Sequence, residues 1–422
     1  MFRRAFVLLA TTLALGGCAG AYQGGGPMAL GGAGPAGSGG LPAPSEAVPA
    51  GQGIAILAPL SGPNAALGPA LVAAAKLALA GGPRLDVRDT GGTPAGAAAA
   101  ASAAIAAGAG ILIGPLTAGE TQGAAGPARQ AGVPLLAFTN DPAQAHPGVW
   151  VLGITPAQQV RRMVGAMTAQ GRSRFAAVLP ESQFGSAMGS ALVQAVAEAG
   201  LPPPMMRSYA PGMAAMNAAM RDISDYAGRR GPIDAEIRAA RNQHTVAGRK
   251  RAAELARHAI PPAPFDALLL AATGDSLGAL ATLLPYYDLN PPQVRVLGPA
   301  LWASPVARGA TSLTGAVFAA PDPAARADFD QKFTAATGAP APGIADFAHD
   351  AAAIARVLAP SAGGAGYSAA ALCRPDGFAG VDGLLALRTD GTVRRGLALF
   401  ELQRGGPQMI EPAPDNLSAP GI

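Results

Sequence analysis

The chain has 422 residues, of which 50% are hydrophobic, 5% aromatic and 13% charged. That length allows two domains with full cores, packed from Ala, Val, Leu and Ile rather than from aromatic rings. The net charge of +4 is weak for this size and gives no warrant for nucleic acid, whose binding needs a concentrated basic face.

Arg3 and Arg4 precede the apolar run AFVLLATTLAL (5–15), and Gly-Gly-Cys follows. This is the charged n-region, short h-region and small-residue cleavage site of a secretory signal. The run falls short of the ~20 residues that a membrane-crossing helix needs. LGGC (15–18) resembles the lipobox of bacterial lipoproteins, which makes residues 1–17 a signal peptide and Cys18 a lipidated mature N-terminus. Ala19 stands where an acidic residue retains such proteins at the inner membrane, so the outer membrane is expected. Two cysteines, Cys18 and Cys373, cannot build a disulfide framework, and Cys373 reads as a half-buried small residue. Residues 18–51 are rich in Gly and Pro, almost uncharged and without apolar periodicity, the composition of a tether that does not fold. As a flexible coil its roughly 33 residues span ~30 Å.

From Gly53 short apolar runs alternate with helical stretches. IAILAP (54–59), LDVRD (85–89), ILIGP (111–115) and VPLLAF (133–138) read as strands, with helices at 65–80, 94–107 and 118–131 between and after them. After VWVLG (149–153) the pattern restarts: helix 156–171, strand FAAVLP (175–180), helix 185–200 and strand MMRSYA (205–210). Strands FDALLLA (265–271) and VRVLGP (294–299) flank a helix from 276 to about 287. Such alternation indicates βαβ units and parallel sheets. The expected class is α/β, with two doubly wound, Rossmann-like lobes. Residues 378–406 read as two strands joined by Thr-Asp-Gly-Thr, a C-terminal β-hairpin. Residues 221–257 break the alternation with nine basic residues against five acidic at helical spacing. They read either as a solvated helical excursion or as a docking arm, with Arg229, Arg230, Arg238, Arg241, Arg249, Lys250 and Arg251 as its contacts.

The turn PLSGPNAALG (59–68) lacks the Lys of a phosphate loop and the glycine spacing of a dinucleotide fingerprint, so no cofactor is expected. What it offers is Ser61, Asn64 and free helix N–H groups at the carboxyl end of a strand, where open α/β sheets bind ligands. GPLTAGET (114–121) repeats the pattern with Thr117 and Glu120, and FTND (138–141) repeats it with Thr139 and Asn140. GDSLG (274–278), with Asp275 and Ser276, fits a nucleophile elbow, and DFAH adds Asp346 and His349. Together they resemble the first and last blocks of GDSL-type esterases, but the two blocks between are not recognisable and a Ser at a helix start is a common cap. His146, His244, His258 and His349 are scattered without partners at metal-ligand spacing, so no metal site is expected.

IAILAPLSGPNAALGPALVAAAKLAL, GILIGPLTAGETQGAAGPARQAGVPLLAFTND, PESQFG and the closing GVDG…TDGTV match, in order, the type 1 periplasmic binding proteins of the leucine/isoleucine/valine-binding kind. The resemblance spans about residues 54–403. It implies two lobes joined by three crossovers around a ligand cleft: 52–153 with part of about 320–360, and 154–316 with the insert 221–260 and about 376–406. Within that family the Cys18 anchor, the basic insert and PFDALLLAATGDSLGALATLLPYYDL look most like the penicillin-binding protein activator lipoproteins. The resemblance implies a non-enzymatic regulator whose partner is a bifunctional penicillin-binding protein. The well-studied activators carry an N-terminal helical-repeat domain, and here only the tether stands. Carried over from the amino-acid binders, ligand contacts fall on Thr117, Ala118, Thr139 and Phe184. The acid that pairs with a ligand's ammonium falls on Ala300, in GPALW with Trp302. Three readings stand: a regulator, a receptor for a small polar solute, and an esterase on Ser276 and His349.

Overall fold

The computed structural model describes residues 51–303, 311–360 and 366–416; the expected signal peptide, Cys18 and the tether as far as residue 50 lie outside them. β1 (Gly53–Ala58), β2 (Leu85–Asp89), β3 (Ala109–Ile113), β4 (Leu135–Ala137) and β5 (Val149–Val151) pair in parallel in the order β2-β1-β3-β4-β5. β1 and β3 are apolar on both faces because helices cover both. α1 (Gly68–Ala78) lies on one face, α2 (Pro94–Ala106) and α3 (Ala118–Gln130) on the other. Thr93 caps α2 with Pro94 at its first position, and Thr117 and Glu120 form a reciprocal capping box on α3, sequence signals that need no tertiary help. Ala97, Ala100, Ala101 and Ala104 of α2 share a core with Ala124, Ala125 and Ala128 of α3. The backbones touch: a Cβ at Gly123 would lie 2.0 Å from the Pro94 carbonyl oxygen.

The chain then enters a second lobe through α4 (Pro156–Ala169), β6 (Phe175–Pro180), α5 (Gln183–Glu198), β7 (Met205–Tyr209) and α6 (Met213–Ile223). α7 (Tyr226–Asn242) and α8 (Val246–Leu255) form the excursion, before β8 (Ala267–Leu270), α9 (Gly274–Tyr286), β9 (Arg295–Gly298) and β10 (Val317–Ala320) complete the parallel strands. α10 (Pro323–Thr337) and α11 (Ala345–Leu358) return to pack on α1. After α12 (Ala369–Leu372), β11 (Phe378–Gly380), β12 (Gly383–Leu387) and β13 (Val393–Arg395) form a separate antiparallel sheet. β14 (Ala398–Gln403) and β15 (Gly406–Glu411) then add an antiparallel edge to β10, giving β15-β14-β10-β9-β8-β6-β7. Among the described residues no helix is long and apolar enough to cross a membrane.

The C-terminal hairpin forms as β12 and β13 around Asp390-Gly391, but its place differs from the expectation that about 376–406 joins the second lobe. Phe378, Val381, Leu385, Leu387 and Val393 are buried in the first lobe's core, and only β14 and β15 extend the second lobe's sheet. Alternation fixes which residues pair across a turn. It carries no record of which core receives their apolar face.

Three passages join the lobes: residues 152–155 after β5, 321–322 after β10 and 396–397 after β13. The carbonyls of Leu152, Val393 and Leu397, in or beside the first and third passages, have side-chain rather than ladder partners, and a buried carbonyl left unpaired is costly. Buried side chains of α4 and β13 supply the donors. Gln158 Nε2 donates to the Val393 carbonyl at 2.6 Å, Arg162 Nε to Leu397 at 2.8 Å, and Arg395 Nη2 to Leu152 at 3.0 Å. Arg162 Nη2 also reaches Glu411 at 2.7 Å. Arg162→Ala is expected to lower unfolding free energy by about 2–4 kcal/mol, since it strips a charge-assisted pair and a buried carbonyl together. Urea denaturation measures this, and an unchanged midpoint would remove Arg162 from the role.

Candidate ligand cleft

A cavity of about 840 Å³ opens where the carboxyl ends of β3 and β4 face those of β6 and β9. The first lobe contributes Asn64, Thr117, Ala118, Phe138, Thr139, Asn140 and Asp141; the second contributes Gln159, Gln183, Phe184, Ala300 and Leu301. Ile154 lines it from a lobe passage, and Ile344 and Phe347 line it from the start of α11. Of the residues expected from sequence, Asn64, Thr117, Thr139, Asn140 and Phe184 are brought together here.

The hydroxyl of Thr117 is already committed. It donates to Glu120 Oε2 at 2.7 Å and accepts the Glu120 N–H at 3.2 Å. The polar offer at this point is the open N-terminal turn of α3, whose first amides have no intrahelical acceptor. Thr139 Oγ1 accepts the Asp141 N–H at 3.1 Å, leaving the hydroxyl proton for a ligand. Asp141 is the one ionisable residue of the lining among the described residues. Its carboxylate accepts from Ala143 N–H at 3.0 Å and Gln144 Nε2 at 3.3 Å, capping a short turn. Gln159 Oε1 accepts the Ala300 N–H at 2.8 Å and so ties α4 to the loop after β9. Among the described residues no Lys or Arg lines the cavity, and its walls are dominated by apolar side chains.

Four expected cleft residues lie elsewhere. Ser61 Oγ donates to Asp89 Oδ2 at 2.6 Å, while the N–H groups of Leu60, Ser61 and Gly91 converge on Asp89 Oδ1. The Ser61 hydroxyl is the largest cause that holds the Asp89 carboxyl down at about 2; this turn clasps an aspartate on the neighbouring strand. Glu120 is fully buried and accepts from Thr90 Oγ1 at 2.5 Å. Trp302 is buried in the second lobe with Nε1 donating to the Ala272 carbonyl at 2.8 Å, packed on Gly298, where a Cβ would lie 2.3 Å from the indole. Asp275 is exposed in the first turn of α9 and absent from the lining. Sequence reasoning in turn missed Phe138, Ile154, Gln159 and Phe347. The aromatic rarity of the chain was the signal that could have found the two phenylalanines.

The esterase residues are split between lobes. Ser276 stands in α9 of the second lobe; Asp346 and His349 lie on α11, which packs on α1. Asp346 is held by Arg326 at 2.6 and 2.9 Å, and His349 meets the edge of Phe329.

Asp346 belongs to a buried charge cluster beside the lobe passages, with Asp350, Asp382, Arg326 and Arg395. Arg395 Nη1 is 3.7 Å from Asp350 and 3.6 Å from Asp382, while Asp350 Oδ1 accepts the Val381 N–H at 2.7 Å. A side cavity of about 250 Å³ opens on Asp346 and Asp382 and shares Ile154 and Phe347 with the main cleft. Burial pushes the Asp382 carboxyl up to about 7, against the pull of Arg395 and with the help of the neighbouring Asp346 and Asp350. Burial likewise raises Asp346 against Arg326.

The basic residues of α7 and α8 divide into two groups. Arg229 is buried and donates to the Tyr287 carbonyl at 2.7 Å and to Pro261 at 3.2 Å, so it anchors the excursion and is no contact for a partner. Arg230 pairs with Asp234 one turn on. Arg238, Arg241, Arg249, Lys250 and Arg251 are exposed.

A family model described as periplasmic binding protein matches residues 52–407. Comparison with curated protein sequences finds no match. Among solved structures, a protein from Rhodospirillum rubrum described as a branched-chain amino acid ABC transporter superposes with a TM-score of 0.65 at 19% identity, covering 85% of this chain and 99% of that one. Full-length LpoA from Haemophilus influenzae gives 0.61 at 17% identity over 87% of this chain and 61% of its own. The C-domain of that LpoA, described as a regulator of PBP1A, gives 0.58 at 18% identity over 85% and 99%.

The buried cluster sets a pH dependence whose sign follows from linkage. Asp382 keeps its proton in the folded chain up to about 7, whereas in the unfolded chain it is lost near the ordinary carboxylate value of ~4. Stability therefore falls as pH rises between those values and is flat above them. Asp382→Asn, which mimics the protonated form, is expected to match the parent near pH 4 and to exceed it by a margin that grows up to pH 7–8 in urea melts. An identical pH slope in both proteins would sink the assignment.

Proposed function

We propose, on the premise that this chain belongs to the periplasmic binding protein family, that it is a non-enzymatic regulator of peptidoglycan synthesis in the cell envelope. On this reading Cys18 carries the lipid that holds it at the outer membrane, facing the periplasm, and its partner is a bifunctional penicillin-binding protein. The observation that carries the reading is the chemistry of the cleft. Ala300 lines the cavity at the position where the resemblance to the amino-acid binders implies the acid for a ligand's ammonium, no cation lines it among the described residues, and the carboxylate of Asp141 is engaged as a cap. A zwitterion there would have only Asp141, a carboxylate already accepting two hydrogen bonds from its own turn, to pair with its ammonium among the described residues. The likeness to the LpoA C-domain over its whole length supports the same reading.

A second reading rests on the cavity itself. About 840 Å³ walled by Phe138, Phe184 and Phe347 falls in the size range of small-molecule sites. A solute receptor of this construction would take a largely apolar molecule with at most one anionic group, oriented by Thr139 and the first turn of α3.

The two readings part in a thermal-shift screen. Amino acids are expected to leave the melting temperature unchanged; a rise of several degrees with any of them overturns the account of the cleft. A rise with apolar carboxylates alone would favour the receptor. The regulator reading predicts that the purified chain raises glycan polymerisation or cross-linking by a bifunctional peptidoglycan synthase and is retained by it on an affinity column. Neither effect at micromolar concentration would rule it out.

A further inference from the structure

Residues 238–251 contain Arg238, Arg241, Arg249, Lys250 and Arg251 and no Asp or Glu. They form the closed end of a helical hairpin: the last turns of α7, the connection 243–245 and the first turns of α8. Ile237, Ala240, Ala252 and Leu255 make a small core of the hairpin's own, which turns the five cations outward. Arg251 has Glu254 at 4.0 Å; among the described residues no ion pair engages the other four. At the turn Val246 stands 74% exposed, and the stretch holds no Phe, Tyr or Trp. A specific protein interface sets its Arg residues among aromatic and apolar anchors at a desolvated centre. This surface has the cations without those anchors, a field of positive charge around one small apolar side chain.

We propose that the tip of the α7–α8 hairpin docks on an anionic phospholipid surface. Arg238, Arg241, Arg249 and Lys250 pair with headgroup phosphates, for which guanidinium geometry is well matched, and Val246 enters the interface between headgroups and chains. Arg229 at the root, fixed to Tyr287 and Pro261, couples the hairpin to the second lobe, so that docking sets the orientation of that lobe. The contact is independent of what occupies the cleft.

The test uses residues 19–422, so that neither the apolar run 5–15 nor a lipid on Cys18 contributes, in flotation with vesicles of phosphatidylcholine alone or with 30% phosphatidylglycerol. The parent is expected to float only with the anionic vesicles and to be released by ~0.5 M NaCl, where screening is nearly complete. Replacing Arg238, Arg241, Arg249 and Lys250 together by Gln is expected to weaken binding at least a hundredfold, at roughly fivefold per charge. These positions are exposed, so an unchanged melting curve verifies that the variant folds; the salt response of the parent needs no variant at all. Equal flotation of parent and variant, equal binding to both vesicle types, or salt-resistant binding would overturn the proposal. So would retention of a peptidoglycan synthase or of murein sacculi that depends on these four residues while the anionic vesicles are not bound.

Discussion

A chain that passes three times between two sheets leaves backbone carbonyls beside the first and third passages, at Leu152, Val393 and Leu397, with no strand to pair with, in places too buried for water. The fold answers with long polar side chains sent from one element to the carbonyl of another more than 200 positions away. Gln158 and Arg162 project from the first helix after the first passage and hold Val393 in β13 and Leu397 at the third passage. Arg395, at the end of β13, holds Leu152 at the first. The first and third passages are thereby bound to each other beside the cleft. Packing of apolar faces stabilises each lobe by itself; it does not fix the angle between them.

The same region concentrates charge in a protein otherwise poor in it. Asp346, Asp350 and Asp382 meet Arg326 and Arg395 under the passages, and a proton on Asp382 relieves what would be three buried carboxylates facing two guanidiniums. Phe347 lies against the guanidinium of Arg395 at 5.6 Å and also walls the cleft, so the apolar site and the ionic cluster are two sides of one ring. Buried ion clusters are weak sources of stability but costly to leave half-made. Their arrangement here serves position.

Local chemistry was legible in the sequence and long-range pairing was not. Strands and helices followed from runs, caps and Gly/Pro punctuation, and the cleft edge from small polar residues repeating after successive strands: Thr117, Thr139 and Asn140 do stand on it. Ser61 looked equivalent by that criterion, yet its hydroxyl is taken by Asp89, on a neighbouring strand 28 residues away. Glu120 and Trp302 were read as cleft residues because their turns were, although one closes a capping box and the other fills a core. Arg229 resembled its basic neighbours until its carbonyl partners came into view. In each case the deciding partner lies outside any window in which periodicity or turn chemistry operates.

The alanine interface of α2 and α3 has a mechanical corollary. Methyl groups have no rotamers to exchange, so this layer cannot yield by reshuffling side chains, and with backbone already touching backbone at Gly123 it cannot yield by sliding inward. Half of the first lobe is in effect a stiff plate. Flexing between the lobes would fall on the three passages rather than on this layer.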